Sequence, residues 1–305
     1  MKKPFGVVAA FAMLVAGCAA LFATLLLATR YWRVATTPEG VILTFEVDRD
    51  SLVDDQPVDM QAMVTVLDWR LNPGWPVRAR VRQVGRERID VATFTTDPGE
   101  VQRITRRVQS LGMLEFRVLA NERDHKELIE RARREHDART LRNPDGTLAA
   151  WWVPVRPGHE ESIAIYEDIA IRESTQDGRS TLEVLVVKDP FDVTGRYLAR
   201  AAPGVTVQGR PCVEFTFNSQ GGHLFGGLTG SILPDEAAGF RRHLGIILDG
   251  YLDSAPAVLD TIYRRGEITG DFTREEVEDL AHILNAGSLP APLKKVGVRG
   301  PGGSP

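Results

Sequence analysis

The chain has 305 residues, 43% of them hydrophobic and 26% charged, a composition that supports a buried core or two. Of its 37 basic residues, Lys2 and Lys3 sit at the extreme N-terminus, and the remaining 35 face 41 acidic ones. Nucleic acid is excluded as a partner on that balance, because phosphate binding needs clustered excess positive charge.

Residues 5–29 carry no charge, and eleven of them are Phe, Leu or Val. As a helix they extend ~37 Å, beyond the ~30 Å of a bilayer's hydrocarbon, and the eleven residues favour insertion by roughly 3 to 7 kcal/mol. A transmembrane helix is expected over 5–29, with residues 1–4 as a cytoplasmic flank. Lys2, Lys3 and the terminal amine outweigh Arg30 and Arg33, so the bulk of the chain falls on the extracytoplasmic, periplasmic side of the inner membrane, with Tyr31 and Trp32 at the interface. Two rival readings stand beside it. One is a cleaved secretory signal, although such an apolar region runs ~7–15 residues. The other is a lipoprotein signal, since Val15-Ala16-Gly17-Cys18 has the shape of a lipobox. All three leave residue 30 onward outside the cytoplasm. Cys18 lies in the apolar run, so Cys212 has no intrachain disulfide partner outside and reads as a small core residue.

Alternation predicts a strand over 41–47, with Val41, Leu43, Phe45 and Val47 on one face. Met60, Met63, Val64, Leu67 and Leu71 recur at helical spacing until Asn72-Pro73-Gly74. Residues 77–94 read as a hairpin about Gly85, with a solvated arginine face. Asp97-Pro98-Gly99-Glu100 opens a helix that carries Val101, Ile104, Val108 and Leu111 to Gly112. Leu114, Phe116 and Val118 then alternate as a strand. The order βαββαβ over 36–120 is that of a ferredoxin-like α+β unit.

Over 121–180 an insertion is expected. Glu122/Lys126, Glu127/Arg131, Glu130/Arg134 and Glu135/Arg139 support an exposed helix projecting from the unit, at roughly 0.2–0.5 kcal/mol per pair. Loops with short strands follow, and Trp151 and Trp152 read as packing residues or as an exposed pair suited to an apolar partner.

A second α+β unit is expected over 181–295, repeating the first one's order. Its strands are Leu182-Val184-Val186 and Val213-Phe215-Phe217; Asn218 and Ser219 cap a helix; Asp249-Gly250 turns a hairpin; and Thr273-Arg274-Glu275-Glu276 opens a helix ending at Gly287. Residues 296–305, rich in Gly and Pro, read as a disordered tail.

No enzymatic constellation emerges. Gly221, Gly222, Gly226, Gly227 and Gly230 follow a strand, but no Gly-Lys-Ser/Thr does, so close backbone packing is expected instead of a phosphate loop. The histidines at 125, 136, 159, 223, 243 and 282 lack metal-ligand spacing, and no Gly-x-Ser-x-Gly elbow occurs. His243 near Asp249 reads as a surface or satisfied residue, not an acid/base pair. Neither a catalytic site, a metal nor a cofactor is expected.

Four motifs in series resemble the SecD family in that family's order. They are Phe215 to Gly222 with Phe225; Ile247-Leu248-Asp249-Gly250 with Ser254-Ala255-Pro256; Ile268-Thr269-Gly270-Asp271-Phe272-Thr273; and Ala286-Gly287-Ser288-Leu289-Pro290-Ala291-Pro292-Leu293. Met113 to Val118 resembles the family's strand between its halves. The resemblance implies a structural role for Asn218, Gly221, Gly222, Phe225, Asp249, Gly250, Ser254, Ala255, Pro256, Gly270, Phe272, Thr273, Gly287, Leu289 and Pro290. It implies an export-machinery subunit that binds or guides unfolded exported polypeptides beside a SecF-like subunit and the Sec channel, with a membrane-proximal base and a mobile head. The family's glycine-rich segment after the first helix is reduced here to Thr37-Pro38-Glu39-Gly40. The further membrane helices of the family, which carry its proton-responsive residues, are expected on a separate chain or lost by truncation. The alternative is a stand-alone membrane- or lipid-anchored periplasmic chaperone without translocase coupling.

Overall fold

The computed structural model describes residues 40–52, 57–74, 76–176 and 179–300. The run at 5–29, with its flank, lies outside the described residues, as do 301–305 of the expected tail. Among the described residues, no helix is long and apolar enough to cross a membrane.

Alternation in β1 (Ile42–Val47) puts Leu43, Phe45 and Val47 on one buried face. Helix α1 (Met60–Leu71) starts at Asp59, whose carboxylate accepts from the N–H groups of Gln61 and Ala62, and lays Met63, Leu67 and Leu71 against that face. The hairpin of β2 (Ala79–Gln83) and β3 (Arg88–Thr93) adds Ala79, Ile89 and Val91. Helix α2 (Pro98–Gln109), capped by Asp97 with proline in its first turn, adds Ile104 and Val108.

The next strand departs from expectation. β4 (Leu114–Leu119) does not close this first sheet; it pairs with β8 (Arg179–Val187) and β11 (Leu244–Leu248) in another. Closure comes from β14 (Leu293–Arg299), antiparallel to β1, in the order β14-β1-β3-β2. Residues 296–299 are therefore strand, not the start of a disordered tail, and Leu289, Ala291 and Leu293 fill the first core. Gly112, at φ 70°, turns the chain away after α2, and the rings of Phe215, Phe217 and Phe225 receive Phe116 at centroid distances of 5.1 to 5.6 Å.

Two further sheets build a second lobe. One follows the order β12-β11-β4-β8-β6-β5, with β5 (Thr140–Arg142), β6 (Leu148–Pro154) and β12 (Tyr251–Ser254); β7 (Ile171–Gln176) pairs with β8. The other has three strands, β13-β10-β9, formed by β9 (Leu198–Val205), β10 (Pro211–Phe217) and β13 (Arg265–Thr269). Both face one core, with α5 (Ser219–Ser231) and α6 (Arg274–Ala286) contributing Phe225, Leu228, Val277, Leu280 and Leu284. The expected second βαββαβ unit does not form as one sheet, because β10 and the β11–β12 hairpin lie in different sheets.

The insertion is not a projection. Helix α3 (Lys126–Arg134) buries Ile129 and Ala132 in a small core with Trp152 and Leu185, and β5, β6 and β7 extend the large sheet. Arg131 approaches Glu135 at 3.8 Å, while Arg133 reaches Glu122 at 2.5 Å. Trp152 is buried beneath Arg172, and half-buried Trp151 lies under Arg117. A short α4 (Glu160–Ala164) packs Ile163 on the same side as Val153, Val184 and Leu252.

Candidate functional site

The joint between the lobes is polar and built around Arg70. On α1 its position continues the stripe of Met63 and Leu67, so its guanidinium is carried inside, fully buried. Nη1 donates to the carbonyls of Arg107, at 3.2 Å, and of Ser110, and Nη2 donates to those of Leu111 and Gly287, both at 2.7 Å. Burial pulls its pKa down to about 10, opposed by the charge of Asp249. One cation thus holds the carbonyl-rich end of α2 against the loop after α6.

Asp249 reaches the same place from the second lobe. It and Gly250 both have positive φ, 54° and 80°, as the two central residues of a tight hairpin turn require. Its carboxylate accepts from Ser110 Oγ at 2.6 Å and from the Met113 N–H at 2.8 Å. A second bond across the joint comes from Asp279 on α6, which accepts from Arg107 Nη2 at 2.6 Å and from Arg103 Nε at 2.8 Å. Burial lowers the Arg103 pKa, but the hydrogen bond and charge of Asp279, with Glu275 and Glu100, raise it overall. The Leu289 N–H donates to the Leu111 carbonyl at 2.8 Å, and Pro290 is exposed next to it.

The other motif residues shape the second lobe. Asn218 caps α5, accepting from the Gly221 N–H at 2.8 Å. A Cβ on Gly221 would stand 2.5 Å from Tyr197 Cβ, and one on Gly222 would stand 2.6 Å from the Tyr263 carbonyl oxygen, so the helix tolerates only hydrogen there. This is the close packing the glycine run led us to expect. Phe225 is buried among Phe116, Phe215 and Phe217. Phe272 packs on that core and against Gly270, and Thr273 forms a reciprocal capping box with Glu276. Ser254 ends β12; the Ala255 carbonyl accepts from His243 Nδ1 at 2.9 Å, and the Pro256 carbonyl accepts from the Leu244 N–H at 3.0 Å. Gly287 takes φ 89° after α6.

His243 and Asp249 are not brought together: the imidazole packs tilted against the Tyr166 ring with centroids 4.3 Å apart, while the carboxylate serves Ser110 and Met113. Buried Cys212 has its thiol pushed up by desolvation and by Glu267 and Glu214, the opposite of an activated nucleophile. The surface of the second lobe instead exposes apolar side chains: Leu259, Tyr263 and, at the β9–β10 tip, Val207 at 97%. The sequence reading missed Arg70, Arg107 and Asp279. Arg70 alone left a signal there, a cation on an apolar stripe.

A profile of the SecDF P1 head subdomain matches residues 170–291, which lie within the second lobe and its junction with the first. Protein translocase subunit SecD of Magnetococcus marinus is 37% identical over 134 residues, covering 44% of this chain and 23% of the relative. SecD of Elusimicrobium minutum is 29% identical over 261 residues, covering 84% of this chain and 50% of the relative. The chain is similar to SecD proteins over their P1 region. It spans half the length or less of these relatives. A solved structure of a membrane component SecDF that enhances protein export aligns with TM-score 0.54 at 23% identity, over 85% of this chain and 99% of that one. SecDF in a super-membrane-facing form aligns at 0.55 and 22%, over 85% of this chain and 30% of that one. The likeness to SecDF is one of fold.

Proposed function

We propose that this chain is the extracytoplasmic part of a Sec translocation accessory subunit, held at the membrane by residues 5–29 and working beside a SecF-like subunit and the Sec channel. The first lobe serves as a ferredoxin-like base: β1, α1, β2, β3 and α2 run in that order, and β14 takes the place of the last strand. The second lobe serves as the head that binds exported polypeptides in their unfolded state, a binding and guiding role without bond chemistry. The fifteen motif residues act structurally, setting the α5 packing, the β11–β12 turn and the joint.

The observation that carries this reading is the P1 head match over 170–291, on the lobe that exposes Leu259, Tyr263 and Val207. Photo-crosslinkers at positions 259 and 263, in membranes carrying a stalled secreted precursor, are expected to give adducts with the precursor, and the Sec channel is expected to co-purify. Neither adduct nor co-purification in intact membranes overturns the reading. Adducts that persist in cells depleted of the channel, with no co-purification, favour the stand-alone chaperone.

A further inference from the structure

Edges of β-sheets are templates for further strands, and proteins guard the edges they do not use. Most edges here carry a guard. Along β2, the Asn72 side chain imitates a neighbouring strand: Oδ1 accepts from the N–H groups of Arg78, at 2.8 Å, and Ala79, at 3.2 Å, and Nδ2 donates to the Ala79 carbonyl at 2.9 Å. Along β9, Asn285 does the same for Ala201, accepting from its N–H at 2.8 Å and donating to its carbonyl at 2.7 Å, and Pro203 removes the next outward donor. β14 carries a bulge opposite Thr44/Phe45, which breaks the regular spacing of its edge. On β12, the Leu252 carbonyl accepts from the Arg156 N–H at 2.9 Å, and β5 is only three residues long. The outer edge of β7 belongs to a ribbon, residues 173–175 against 180–182, with no buried residue to fix it as a template.

β13 carries no such guard. Phe217 donates to the Arg264 carbonyl at 2.9 Å, and the register Thr216↔Arg265 through Cys212↔Thr269 then fixes the rest of the ladder. Gly266 and Ile268 bond inward to β10, while the N–H and C=O groups of Arg265, Glu267 and Thr269 point outward. Those outward groups have no partner among the described residues. Their backing is rigid: Ile268 is fully buried, and Gly266 lies beneath the Phe215 ring. Arg265 and Glu267 are exposed and opposite in charge, so they repel no one sign of ligand.

We infer that the β13 edge takes an extended stretch of unfolded polypeptide as an added antiparallel or parallel strand. The inference rests on the polypeptide-binding reading above and names its mode. Recognition runs through main-chain groups repeating every ~6.8 Å along the strand, so it asks of its ligand an extended backbone and no particular side chain. That suits a site that must accept unlike chains.

The test exploits the ladder's parity. Glu267→Pro deletes an outward N–H and leaves every bond to β10 in place, whereas Glu267→Ala removes the charge and keeps the N–H. With the full 305-residue chain in nanodiscs and reduced, carboxymethylated α-lactalbumin as the unfolded probe, Glu267→Pro is expected to weaken binding about tenfold, the scale of one lost hydrogen bond. Glu267→Ala is expected to bind as the parent does. Hydrogen exchange at the Arg265, Glu267 and Thr269 amides of the unsubstituted chain is expected to slow on binding, a readout independent of whether the proline variant folds. Probe binding with unchanged exchange at these amides overturns the inference and leaves the binding reading standing, as does a folded Glu267→Pro that binds normally. Failure of the parent chain to bind the probe overturns both.

Discussion

The interior of the second lobe and the joint between the lobes are both desolvated, yet they hold by different physics. Inside the lobe, Phe116, Phe215, Phe217 and Phe225 interlock through ring contacts of 5.0 to 6.2 Å, a non-directional packing that fails as a whole when one ring is lost. At the joint, Arg70 donates to backbone carbonyls, Arg107 to the Asp279 carboxylate, and Ser110 and the Met113 N–H to the Asp249 carboxylate, all through directional bonds. Such a joint specifies one relative placement of the lobes without belonging to either core.

Breaking the comparison from the apolar side gives the largest expected effect. Phe116 is fully buried, so Phe116→Ala is expected to cost about 3–5 kcal/mol in denaturant unfolding, confined to the second lobe. From the polar side, Asp279→Asn leaves the Arg107 guanidinium, 4% exposed, without its counter-charge, and a loss of about 3 kcal/mol is expected. Proteolysis between the lobes, at residues 110–113, is expected to accelerate in Asp279→Asn and not in Phe116→Ala. Equal acceleration in both would erase the distinction between joint and core.

A smaller effect sharpens it. His282 on α6 has its pKa lowered by burial, then by Arg107, with Arg78 and Arg103 adding and Asp279 opposing. Its folded pKa lies below the unfolded value near 6.5, so its contribution is complete above that value and is lost as pH falls through the folded one. Stability is therefore expected to decline from about pH 7.5 to about pH 5. The decline should be shallower in His282→Gln, with chemical denaturation at both pH values as the measurement. The smallest effect belongs to the surface: Arg88, 59% exposed, pairs with Glu46 at 2.9 Å, and Arg88→Ala is expected to change stability by less than about 1 kcal/mol.

Local signals were legible where local chemistry decides. Asp97, Asn218 and Thr273 announced helix starts that the structure caps through those side chains, and Asp249-Gly250 announced its turn. The fate of 293–299 was not legible, because Gly297 and Gly300 obscure a strand whose partner, β1, lies some 250 residues earlier in the chain. Arg70 was passed over for a related reason: nothing near it in sequence shows the carbonyls of Ser110, Leu111 and Gly287 that receive it.

By itself, the order of residues determined the helix caps, the tight turns and the glycine face of α5, since each depends on neighbours a few positions away. Only the tertiary structure decided that β4 leaves its own sheet for the aromatic core and that β14 returns to fill the vacancy. β4 alternates acceptably for either sheet; long-range packing placed it, and no short window of sequence contains that competition.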